Sequence, residues 1–151
     1  PTRRSSDLAG HSAGGYLTSM IGLDKRWLEP YGIDPDTAFV ALIPYSGQVV
    51  THFERRRELG LPDTQPLVDD MAPLSYVRPD CRPMLILSGD REREMLGRYE
   101  ENAYFWRMMR VAGHPDVRIC EFDGFDHGNM PQAGHFVAVR YIREMERRMD
   151  R

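Results

Sequence analysis

The 151-residue sequence has little cysteine, with two, and little net charge, at −3. Cys81 and Cys120 are too few for a disulfide framework and lack metal-ligand spacing. They read as small apolar residues of an interior. The near-balance of charge leaves no electrostatic footprint for nucleic acid, which excludes that partner. No apolar run approaches the roughly 18 residues a membrane-spanning helix needs, so no membrane span is expected. No His, Cys, Asp or Glu set has spacing suited to a metal, and none is expected. Low-complexity stretches are missing too, because the 13 glycines and 11 prolines are spread along the chain. What remains is about one domain of a turn-rich globular protein, whose 41% apolar residues suffice for one buried core.

Strand-like and helix-like stretches alternate along the chain. Residues 16–23 predict a helix, with Leu17, Met20 and Ile21 at helical spacing. Residues 31–35 form a turn cluster, and residues 38–44 (AFVALIP) an apolar run of strand length, suited to a parallel strand covered on both faces. Residues 48–74 are irregular and polar, and read as a short helix plus a long excursion. A second buried strand is expected at residues 83–87, the best helix at 98–112 with Gly113 as its cap, and a third strand at 117–122. Ala138, Tyr141, Ile142, Met145 and Met149 stripe a terminal helix, whose last turns carry Arg147, Arg148 and Arg151 at the negative helix end. The Met-rich and aromatic stripes read as core. Alternation at this spacing predicts an α/β fold with a parallel sheet.

The residues that carry chemistry begin at Gly10-His11-Ser12-Ala13-Gly14. A serine hydroxyl at its ordinary pKa is a poor nucleophile and needs a base for its proton and donors for the oxyanion that develops. A Gly-x-Ser-x-Gly turn sets Ser12 on a sharp strand-to-helix bend, with Gly10 and Gly14 removing side chains that would clash there. Gly15 adds room for helix against strand, and the Ala13 N–H, at a helix N-terminus, is placed to donate to an oxyanion. Chance gives such a pattern roughly once in twenty to thirty chains of this length, so it needs support from elsewhere.

That support lies downstream. An acid and a histidine are expected on loops after later strands, in that order. Asp90 follows the strand at 83–87, in Ser88-Gly89-Asp90, and His127 follows the strand at 117–122, in Gly124-Phe125-Asp126-His127-Gly128. His127 would take the Ser12 proton and return it to the leaving alcohol, while Asp90 would hold the imidazole tautomer. Plainer roles stand beside these: Asp90 as a helix N-cap and His127 as a loop histidine. Asp123 and Asp126 compete as acids, but lie on the histidine's own strand end. His11 occupies the variable elbow position, pointing away from the attacked carbonyl or lining the pocket. His52 is either a cleft residue or surface, and His114 and His135 are loop and helix-start residues.

Together with Pro44-Tyr45-Ser46-Gly47 and Ala72-Pro73-Leu74-Ser75, these motifs resemble the esterase/lipase group of the α/β-hydrolase superfamily over roughly residues 8–149. Within that group the chain is similar to bacterial carboxylesterases of the feruloyl/acetyl-esterase type and their kynurenine formamidase-like relatives. The resemblance implies hydrolysis of small acyl or aryl esters, carbohydrate-linked ones included, through an acyl-serine and without a cofactor. It assigns Ser12, Asp90 and His127 as catalytic and Ala13, His11 and Gly14 to the oxyanion and binding region. A kynurenine formamidase-like amidase, a non-catalytic binding module and an inactive fragment are the alternatives.

Such enzymes also carry an upstream His-Gly-Gly-type loop and further strands, which are not found before Gly10. Residues 9–151 are therefore expected to be the C-terminal part of one α/β-hydrolase catalytic domain, with the N-terminal half of the sheet missing. The strand leading into the elbow should be apolar, yet Arg3-Arg4-Ser5-Ser6-Asp7 is polar. Residues 1–8 accordingly read as a non-native or truncated leader, resembling translated sequencing-adapter read-through.

Overall fold

The computed structural model describes residues 6–149. Four strands, β1 (Ser6–His11), β2 (Phe39–Tyr45), β3 (Met84–Gly89) and β4 (Val117–Phe122), form one parallel sheet in the order β1-β2-β3-β4. The helices are α1 (Ala13–Leu23), α2 (Pro35–Ala38), α3 (Phe53–Glu58), α4 (Arg98–Val111) and α5 (Met130–Met149).

Alternation along the central strands divides the core in two. Val40, Ala41, Ile43 and Tyr45 of β2 join Leu85 and Leu87 of β3 beneath Met130, Ala138, Tyr141 and Met145 of α5. Leu42, Met84 and Ile86 face the other way, against Leu23 of α1 and Phe105 and Met109 of α4. Successive side chains of a strand point to opposite faces, and both faces are covered. That is why β2 and β3 read as unbroken apolar runs. A parallel sheet needs such crossover helices, and here they set the C-terminal ends of all four strands along one edge.

Two features differ from the sequence reading. Ser6, Asp7 and Leu8, expected to belong to a leader, form the start of β1, with Ser6 opposite Phe39 and Leu8 opposite Leu42. The rest of that leader lies outside the described residues. The parallel ladder accepts polar residues here because backbone groups make it, at a cost visible in Asp7. Its Oδ1 is buried without a partner, and burial, with Glu146 nearby, pushes its carboxyl above the ordinary value.

The excursion after β2 is more ordered than its composition suggests. Arg56, one of three consecutive arginines, is buried, and its Nη1 donates to the carbonyls of Asp63 and Gln65 at 2.9 and 2.8 Å. Through Nη1 the buried guanidinium staples the loop to α3, although its Nε is buried without a partner.

Candidate active site

Ser12 sits between β1 and α1 with φ 57° and ψ −115°, a left-handed conformation that non-glycine residues rarely adopt. Its N–H donates to the Tyr45 carbonyl at 2.9 Å, and its own carbonyl accepts from Tyr16 N–H at 3.0 Å, so the turn is clamped to β2 and to the first helical turn. The neighbouring glycines have unequal tasks. A Cβ on Gly10 would collide with the backbone of Gly14, and one on Gly15 would lie 2.7 Å from the Tyr45 carbonyl oxygen. A Cβ on Gly14 would meet nothing within 4 Å, so close packing demands glycine at Gly10 and Gly15 but not there. Ala13 is the first residue of α1, where an N–H has no partner within the helix.

The histidine loop after β4 brings His127 to this turn. Its Nε2 lies 2.9 Å from Ser12 Oγ, and its Nδ1 lies 2.8 Å from Glu94 Oε2. Asp90, expected against that ring, does not reach it; Glu94 takes the place. Asp90 Oδ2 accepts from Gly124 N–H at 2.7 Å and Oδ1 from Glu92 N–H at 2.9 Å, while Asp90 N–H donates to the Phe125 carbonyl at 2.8 Å. These backbone donors hold its carboxyl below the ordinary value. Asp90 thus fastens the end of β3 to the histidine loop and caps a single turn, the plainer role weighed for it.

That turn explains the exchange. Glu94 N–H donates to the Asp90 carbonyl at 2.8 Å, so the chain makes one helical revolution after β3 and returns the fourth side chain to the strand end. Gly89 supplies the space, since a Cβ there would lie 2.6 Å from the Phe125 carbonyl oxygen of the histidine loop and 3.0 Å from Glu94 Oε1. In the sequence Glu94 stands in the charged run Arg91-Glu92-Arg93-Glu94 and looks like surface. In the fold its side chain has no exposed area. The glycine ahead of the turn was the signal that something must pack there.

Glu94 is surrounded by donors. Ser46 hydroxyl and Gly89 N–H (3.1 Å) reach Oε1, and Met95 N–H (3.1 Å) reaches Oε2 beside His127. Burial alone would push its carboxyl up, but the hydrogen bonds from His127, Ser46, Gly89 and Met95 outweigh it and hold it down at about 2. Ser46, which follows β2, has φ 46°, the other positive φ outside glycine among the described residues. Its carbonyl accepts from the buried Arg98, whose Nε pairs with Glu101 at 3.0 Å. Glu101 in turn accepts from Val49 and Val50 N–H at 2.9 and 3.2 Å, and Asn102 donates to the Gly47 carbonyl at 2.8 Å. The start of α4 therefore forms a polar floor that holds Ser46 in its strained conformation. Ser46 stood in the sequence only as part of the Pro44-Tyr45-Ser46-Gly47 motif, and neither its bond to Glu94 nor this floor was legible there.

The other candidates fall elsewhere. His11 Nε2 donates to the His127 carbonyl at 2.9 Å, so its ring faces the histidine loop. Burial, and then the neighbouring His127, push its imidazole below the ordinary value, which favours the neutral form. Asp126 accepts from Gly128 and Asn129 N–H, both at 2.9 Å, and does not serve His127. His52 stacks on Phe53 and lies 5.3 Å, ring to ring, from Tyr16, one turn after Ser12. His114 is buried with Nε2 on the Cys81 carbonyl at 3.1 Å, and His135 lies 3.3 Å from the Tyr45 hydroxyl. Cys81 is buried, its thiol pushed up to about 12 by burial. Among the described residues no group of His, Cys, Asp and Glu could hold a metal ion, and no helix is long and apolar enough to cross a membrane.

No family model matches the sequence, and no curated protein matches it. Solved structures do. The fold is similar to that of esterase 2 from the planctomycete Thermogutta terrifontis. Its propionate-bound form superposes with a TM-score of 0.69 and 21% identity, over 92% of this chain and 55% of that one. The native form gives 0.69 and 20%, over 92% and 54%. The form phosphoramylated by tabun gives 0.66 and 20% over the same shares. The chain thus spans a little over half the length of the structures it matches. The chain therefore shares the fold of these structures, a parallel sheet alternating with helices, here of four strands.

Proposed function

We propose that the chain carries the catalytic centre of a serine carboxylesterase, with Ser12 as nucleophile, His127 as general base and acid, and Glu94 as the acid that orients it. The observation behind this is the unbroken hydrogen-bond relay from Ser12 Oγ through both nitrogens of His127 to Glu94, anchored on a strained serine. With Glu94 ionised, Nδ1 carries the proton and Nε2 is left to accept from Ser12.

Attack of Oγ on the ester carbonyl transfers the hydroxyl proton to Nε2, and the carbonyl oxygen becomes an oxyanion to which the Ala13 N–H can donate. Collapse breaks the bond to the alkoxy oxygen, which takes the proton from Nε2 and leaves as the alcohol. Water then attacks the acyl-serine by the same route, giving the acid and free Ser12. Glu94 stays ionised throughout and stabilises the imidazolium. An intact relay also weighs against a non-catalytic binding module.

The substrate class we assign is small acyl or aryl esters, carbohydrate-linked ones included. The propionate- and butyrate-bound forms of the Thermogutta esterase support a short acyl group. The centre uses no cofactor in this reading. We take the chain to be the C-terminal part of a larger catalytic domain, in which chain beyond β1 supplies further oxyanion donors; without them activity is weak, since each donor is worth about 10²–10³ in rate.

The test is hydrolysis of p-nitrophenyl acetate and butyrate beside an N-formyl aromatic amide. Ester cleavage that Ser12→Ala abolishes supports the proposal. Cleavage that survives Ser12→Ala refutes the nucleophile, and preference for the amide refutes the esterase assignment.

A further inference from the structure

We infer that His11 is a positioning residue for the reaction proposed above, holding the His127 backbone where its ring meets Ser12. This rests on the assignment of Ser12 and His127 as nucleophile and base.

The loop bearing His127 has three side-chain anchors. Asp90 holds Gly124 N–H ahead of the histidine, and Asp126 holds Gly128 and Asn129 N–H behind it. Asp90 fastens a flank, and Asp126 holds the 127–128 peptide by its N–H edge, so neither holds the His127 carbonyl edge. The third anchor is His11, whose Nε2 lies 2.9 Å from the His127 carbonyl oxygen. A carbonyl oxygen only accepts, so the nitrogen facing it carries the proton, and His11 is the Nε2–H tautomer. The two rings lie 4.8 Å apart, centre to centre, at 37°.

The effect follows from where His11 sits. It ends β1 and immediately precedes Ser12, whose own backbone is fixed on Tyr45. The hydrogen bond therefore ties the histidine's main chain to the residue beside the nucleophile. Two side chains that must meet at 2.9 Å branch from backbone points joined through one imidazole. Without the donor, the 127–128 peptide is held on its N–H edge alone, and its carbonyl can tilt toward water and shift the ring off the serine. Displacement of about 1 Å at such a contact costs on the order of 10²-fold in rate. The loss falls on the chemical step, because His11 reaches the loop and not the Ser12 hydroxyl.

The test compares His11→Leu, His11→Glu and His11→Gln in the full-length protein with p-nitrophenyl butyrate. Glutamine places an N–H donor near the position of Nε2, whereas leucine and glutamate place none. Leucine and glutamate should lower kcat about ten- to a hundredfold with KM within about twofold, and glutamine should restore most of kcat. Where leucine does not fold, the glutamate–glutamine pair carries the comparison. Equal kcat in glutamine and glutamate, or a loss confined to KM, overturns the inference. Ser12→Ala in the same series separates the two assignments. Hydrolysis surviving it overturns the nucleophile, whereas loss there with none in His11→Leu overturns only the role of His11. A 15N spectrum showing His11 protonated at Nδ1 instead of Nε2 also overturns it, whatever the activity.

Discussion

Exchanging the acid is the sharpest perturbation the site offers. Glu94→Gln keeps the shape and most hydrogen bonds but removes the charge facing His127. A carboxyl held at about 2 against an ordinary 4.5 is favoured in its ionised form by ~3 kcal/mol, shared among His127, Ser46, Gly89 and Met95. If His127 accounts for most of that, losing the charge raises the barrier by ~2–3 kcal/mol, or about 10–10² in kcat at 1.36 kcal/mol per decade. The amide adds a further penalty, because its NH₂ facing Nδ1 favours the wrong tautomer. Asp90→Asn, by contrast, should leave kcat within about threefold, since Asp90 bonds the Glu92 and Gly124 N–H groups and not His127. The assay is kcat and KM for p-nitrophenyl butyrate in both variants, with far-ultraviolet dichroism as a folding control. A normal kcat in Glu94→Gln with a collapsed one in folded Asp90→Asn would refute the reasoning.

The same carboxyl gives a stability profile. Because its folded value lies below 4.5, the stabilisation is present above that pH and is lost as pH falls toward 2; Glu94→Gln should flatten this part of a pH-dependent denaturation curve. Ser46→Ala removes one donor from Glu94 and should lower kcat about tenfold, measured with the same ester. Gly15→Ala drives a Cβ to 2.7 Å from the Tyr45 carbonyl oxygen and should cost about 2 kcal/mol or more in urea denaturation. Asp7→Val replaces a part-buried carboxylate, one of whose oxygens has no partner, with a strand former and should stabilise by about 1 kcal/mol at neutral pH. Since burial raises the Asp7 value, that gain shrinks as pH falls through the carboxylate range and both forms become neutral.

The parts legible in the sequence are those whose physics is local or periodic. β2 and β3 read as strands because both faces are covered, and α4 read as a helix through its apolar stripe and the following Gly113. The elbow was legible because a sharp turn with a close helix needs glycine at Gly10 and Gly15. The acid was not, because Asp90 and Glu94 differ only in a single turn after β3. Which carboxylate returns to the strand end depends on Gly89, Phe125 and the histidine loop, all set by tertiary structure. Arg56 and Arg98 look like solvated charge, and only the fold reveals the carbonyls and carboxylate that receive them. β1 was hidden for the opposite reason: its backbone pairs with β2 although Ser6 and Asp7 lack the apolar pattern of a strand.

The most direct measurement is covalent labelling by paraoxon, which phosphorylates the Thermogutta esterase. The full-length protein is treated with it, digested and read by mass spectrometry, with Ser12→Ala and Glu94→Gln alongside. A single diethylphosphoryl adduct on Ser12, absent from Ser12→Ala and formed far more slowly in Glu94→Gln, is the predicted result. An adduct on another residue, or one on Ser12 that forms as fast without the Glu94 charge, would contradict the Ser12–His127–Glu94 centre.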